Sequence, residues 1–179
     1  MRFVIGAALG VVAGLLLAAG IGLSGAVNVA AVEPDSGLTQ WFLHTSMEQS
    51  VRKRSAAIEA PIQFSEAQVR AGFQEFNAMC VGCHGAPGRM RSAVGRGMRP
   101  RPPDLAHSAR EWDSASLFWI VKNGINMTGM PAFGPTHDDP TIWTIVAFVK
   151  QLPATDTAAY QRLEQQAGPD ETHGHMHEH

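Results

Sequence analysis

The sequence predicts an all-α protein that begins with a membrane span. Three observations carry that prediction. No charged residue occurs from Phe3 to Val32, a run long enough to cross a bilayer as one helix. Apolar residues then recur at three- and four-residue steps in later segments, which is the period of a helix with one buried face. Nowhere does the chain alternate apolar and polar residues as a half-buried strand does. The 179 residues allow one ordinary domain with extensions, and a net charge of −2 argues against a nucleic-acid binder.

Residues 1–32 read as a transmembrane anchor. Arg2 precedes the apolar run and Glu33 and Asp35 follow it, so the positive end stays in the cytoplasm and the remainder is exported. A cleaved signal peptide is the alternative, with Ser24-Gly25-Ala26 as a passable cleavage site. The length of the run and its single leading Arg favour retention.

Residues 33–64 read as a juxtamembrane helix or linker. Glu33 to Gly37 is a turn, and Leu38 to Ile58 a helix. Trp41 and Phe42 suit the lipid headgroup layer, and Arg52, Lys53 and Arg54 suit lipid phosphates or a partner. A solvated spacer helix fits the same residues.

The globular domain spans 65–153. Ser65 with Gln68 forms a capping box that opens a helix. Val69, Phe73, Phe76 and Met79 give that helix its apolar stripe up to Cys80. Residues 85–103 are broken by Gly and Pro and read as loop. Asp113 or Ser114 caps a second helix, which Asn123-Gly124 ends. Asp138-Asp139-Pro140 opens a third, with Ile142, Trp143, Val146 and Val149 inward and Pro153 as its stop. Residues 154–179 read as a polar tail. In it His173, His175, His177 and His179 alternate, either a weak copper, nickel or zinc site or a tract that binds metal incidentally.

The chemistry lies in Cys80-Val81-Gly82-Cys83-His84. Two thiols at this spacing can bond to both vinyl groups of one porphyrin, and the next residue, His84, can ligate its iron. The run therefore reads as attachment of one covalent haem c. A thioredoxin-type motif needs a strand before it, and a helix pattern stands there instead. A structural zinc needs more ligands than two cysteines. A plain disulfide stays open for an exported chain.

For the second axial ligand the sequence offers Met130, between Gly129, which permits close backbone approach, and Pro131, which stiffens the loop. Met127 competes. Met79, Met90 and Met98 fit ordinary packing. His107 and His137 fit a surface role better than a bis-histidine site. Arg89, Arg91, Arg96, Arg99 and Arg101 fall in a stretch without an acid. Arg99 and Arg101 are the candidates for pairing with the haem propionates, the others for a basic docking face. A solvated loop is the bland reading.

In order, a helix into Cys80-x-x-Cys83-His84, a loop ending Pro102-Pro103-Asp104-Leu105, Gly129-Met130-Pro131-Ala132-Phe133 and a last helix with Trp143 resemble a class I monohaem cytochrome c. The anchor, Asn28-Val29-Ala30-Ala31 and the His-rich end resemble its membrane-anchored bacterial type. The resemblance covers about Ser65 to Pro153. It implies that Gly72 and Phe76 face Trp143 and its neighbours where the first and last helices cross. It implies too that Pro102 or Pro103 supports His84 through a carbonyl, and that Trp143 helps wall the haem site. The expected function is one-electron transfer in the periplasm, without substrate turnover. A membrane dehydrogenase or quinol-oxidising complex would be the donor, and an oxidase or soluble carrier the acceptor. The alternatives are a subunit of a larger respiratory dehydrogenase or oxidase, a haem sensor and a metal-handling protein.

Overall fold

A computed structural model describes residues 2–167 of the chain. Its contacts divide at Pro34 into two units. The first is α1 (Arg2–Leu23) and the turn after it; none of its residues is buried, and its length and composition suit a membrane anchor. The polar tail with its four histidines lies outside the described residues.

The second unit is entirely helical among the described residues, apart from one isolated bridge between Ala86 and Arg89. It runs α2 (Gly37–Ser55), α3 (Glu66–Glu75), a π turn (Phe76–Cys80), α4 (Val81–His84), α5 (Ala93–Gly97), α6 (Leu105–Glu111), α7 (Ser114–Asn123), α8 (Asp139–Gln151) and α9 (Thr157–Ala167). The starts are set by side-chain caps. The capping box of Ser65 and Gln68 forms as expected. Of the two candidates for α7, Asp113 is the cap, accepting from Ser116 N at 2.7 Å. Asp138 caps α8.

The core is the crossing of α3 and α8. A Cβ on Gly72 would overlap the carbonyl oxygen of Thr144, so only glycine lets the two backbones meet. Gly72 thus faces the neighbour of Trp143, as expected, while Trp143 itself stacks on Phe118 with centroids 4.2 Å apart. Phe76 meets Phe148 at 5.1 Å instead. The reason is rotation: Thr144 and Phe148 are four residues apart on one helical face, and Trp143 projects from the next.

Two boundaries move. The sequence places a polar tail from residue 154, yet α9 forms there, and its Tyr160 is fully buried against Phe73 and Phe76. Tyr160 also donates its hydroxyl to Asn77 Oδ1 at 3.1 Å, so the packed unit extends past Pro153. Tyr160 and Leu163, the large apolar side chains of α9, are too few among its alanines and polar residues to mark the helix by periodicity. We expect Tyr160→Ala to destabilise the folded domain by about 3–5 kcal/mol, read as a lower denaturant midpoint, with Tyr160→Phe costing about 1 kcal/mol for the lost hydrogen bond. Likewise α2 is no free spacer. Val51 and Ser55 are buried, Ser55 Oγ lies 2.9 Å from Ser116 Oγ of α7, and the Arg52 guanidinium sits 4.9 Å above the Trp112 ring.

Candidate haem site

α3, the π turn and α4 form one continuous helical stretch that ends in the cysteine motif. Gly85, at φ 74, terminates it and turns the chain away directly after His84. Gly95 of α5 packs on the motif, where a Cβ would come within 2.8 Å of the Cys83 and Gly82 carbonyl oxygens. Ser92 N donates to the Gly82 carbonyl at 2.8 Å and fixes that approach.

No disulfide joins Cys80 and Cys83. Burial first, then the nearby Glu75 carboxylate, pushes the Cys80 thiol up to about 12. A helical stretch, not a strand, leads into the two cysteines, which is not the setting of a thioredoxin-type motif. No group of three or more metal-binding side chains exists among the described residues.

His84 Nδ1 lies 2.9 Å from the Pro103 carbonyl oxygen. A carbonyl can only accept, so Nδ1 carries the proton and Nε2 keeps its lone pair for a metal. Of the two prolines the sequence offered, Pro103 is therefore the support, and Pro102 precedes it half-buried. Burial lowers the His84 pKa; the Pro103 bond opposes that shift and Arg91 reinforces it. The ring is thus held neutral, as a ligand must be.

The Met130 loop hangs on the end of α7. Phe133 N donates to Val121 O at 3.1 Å and Gly134 N to Lys122 O at 2.9 Å. Gly124, at φ 66, makes room: a Cβ there would come within 2.7 Å of the Met130 carbonyl oxygen. Met130 packs half-buried against the core, whereas Met127 is 87% exposed at φ 58 and Met90 is 90% exposed. Met79 is a core packing residue. The Met98 thioether lies over Gly129, where a Cβ would meet its sulfur. His107 pairs with Glu111 at 3.2 Å on the exposed side of α6. His137 Nδ1 is 2.8 Å from Thr136 Oγ1 and its Nε2 is 3.9 Å from Glu75, so both of its nitrogens are engaged.

The arginines sort by position. Arg101 joins Arg89, Arg91 and Arg96 around a cavity of about 420 Å³ beside His84. Arg91 Nε donates to the His84 carbonyl at 3.2 Å, a support that nothing in the run of arginines singles out. Arg89 is paired with Glu164 of α9. Arg99 is exposed. Phe118, the stacking partner of Trp143, was also missed, because helical spacing alone marks it as one more core residue.

The donor set fits a covalent haem: two thiols on one helical stretch, an imidazole with its metal-facing nitrogen free, and a thioether on a clamped loop. Residues 67–149 match the family model for cytochrome C oxidase, cbb3-type, subunit III. No curated protein matches the chain. With motif, fold and family match in agreement, this chain carries a class I, monohaem c-type cytochrome domain that holds one haem c covalently and serves electron transport.

Proposed function

We propose that the chain is a one-electron carrier tethered to the cytoplasmic membrane, with its cytochrome domain in the periplasm and its iron bound by His84 and Met130. The observation that carries this reading is the 2.9 Å bond from His84 Nδ1 to the Pro103 carbonyl, which orients one ligand; the methionine loop pinned to α7 would supply the second. Bound haem supplies reversible one-electron chemistry. The chain's task is to fix the ligands, exclude water and present one edge. A soft thioether favours the reduced metal and raises the potential.

With both axial positions taken by side chains, none is left for a substrate, so the protein is a carrier and not an enzyme. Arg99 and Arg101 would balance the propionates of a bound haem, and Trp143, stacked on Phe118, would help wall the site. The remaining arginines guide acidic redox partners at low salt. The donor is a membrane dehydrogenase or quinol-oxidising complex, and the acceptor an oxidase or soluble carrier. A tether raises the effective concentration of the carrier at membrane partners.

The purified protein is expected to titrate as a single one-electron wave and, when reduced at neutral pH, to bind carbon monoxide poorly. Ready carbon monoxide binding would instead mean an open site and a sensor or enzyme. A second reading, a fixed subunit of an oxidase, is favoured by the description of the matching family. Co-migration with other subunits after gentle solubilisation would select it; a lone haem-bearing species selects the carrier.

A further inference from the structure

We propose that the N-terminal half of α2 is a membrane-contact surface that seats Leu38, Trp41 and Phe42 in the phospholipid headgroup layer. The inference rests on α1 being an anchor. Leu38, Trp41 and Phe42 are 74%, 63% and 60% exposed, and they fall at i, i+3 and i+4, with Thr45 next on the same face. At 100° per residue, this face lies roughly 100° around the helix from the one that Val51 and Ser55 bury against α7. The first turns of α2 leave it uncovered, while Thr45 farther along is half-buried.

The bilayer is the occupant that the remaining observations fit. Residues 24–36 alone separate α1 from α2; fully extended they reach about 45 Å, which keeps the start of α2 within that reach of any membrane that α1 crosses. Indole and phenyl rings favour the headgroup level. The first turn of α2 has no acid, Glu48 is the one acid in the helix, and it lies 3.9 Å from His44. Lys53 and Arg54 are exposed farther along, where anionic lipid phosphates attract them. An apolar stripe of this kind also fits a groove on a protein, so the test uses lipid alone.

The full-length, haem-loaded protein is placed in vesicles of phosphatidylcholine with a minority of phosphatidylglycerol, containing a trace of phospholipid with a photoreactive diazirine near its headgroup. After an alkaline wash and sedimentation, adducts are mapped by mass spectrometry. We expect adducts on residues 38–45 several-fold above those on α9, which serves as an exposed reference in the same domain. The triple variant Leu38→Ser, Trp41→Ser, Phe42→Ser should lose them while keeping its haem spectrum. Sedimented protein with adducts confined to 2–23 overturns the surface and leaves the anchor standing. Protein that stays in the supernatant overturns both.

Discussion

Gly72→Val abolishes accumulation of the haem-loaded protein. The reason is a contact no side-chain movement can relieve. The Cβ of any residue at position 72 would overlap the Thr144 carbonyl oxygen, and the next neighbour is Phe148 Cβ at 3.1 Å. Helices α3 and α8 must separate, and with them Phe73, Phe76, Phe148 and Tyr160, which form one aromatic cluster. Overpacking of a core typically costs about 1–3 kcal/mol where side chains can shift; here a side chain meets backbone, so the cost lies above that range and approaches the whole stability of a marginal domain, about 5 kcal/mol. The γ-methyls of valine add to the overlap. Gly72→Ala carries the Cβ alone and is expected to lower the denaturant midpoint strongly. Gly37→Ala is the control: it meets nothing within 4 Å and should be neutral. Normal holoprotein yield from Gly72→Val would mean that α3 and α8 do not cross as described.

Met130→Ala should lower the reduction potential by on the order of 0.1 V or more, since axial ligands command a range of about 0.8 V. The weak absorbance at the red edge of the oxidised spectrum should vanish, and the reduced protein should bind carbon monoxide. Met127→Ala and Met98→Ala are the discriminating partners. Met127 points into solvent and should change nothing. Met98 packs over Gly129, so its loss loosens the loop without removing the sulfur: a small shift in potential with the band retained. Should the band survive in Met130→Ala and disappear in Met98→Ala, the ligand is the other thioether.

Much of this architecture was legible in the residues. The cysteine motif announces its own chemistry, because few functions need two thiols and an imidazole at that spacing. Caps and apolar steps marked α3, α7 and α8, since long helices with one buried face write their period plainly. What escaped was held by interactions that hydropathy does not see. The docking of α2 rests on one valine, a serine–serine bond and a cation over an indole. α6 is a short helix opened by Asp104, which accepts from Ala106 N at 2.9 Å; it has no long apolar stripe to mark it. The choice between Pro102 and Pro103 was invisible for another reason: adjacent carbonyls differ in direction, and direction is a property of the folded backbone.

The short helix α7 has a grip at each end. Ser116, in its first turn, holds the tether-side helix, and Val121 and Lys122, in its last, hold the loop that carries Met130. Their relative bearing is therefore set like two hands keyed to one shaft. Inserting a single residue between them would twist one against the other by about 100°, so the length of this strut is fixed by geometry even where its surface side chains are free to vary.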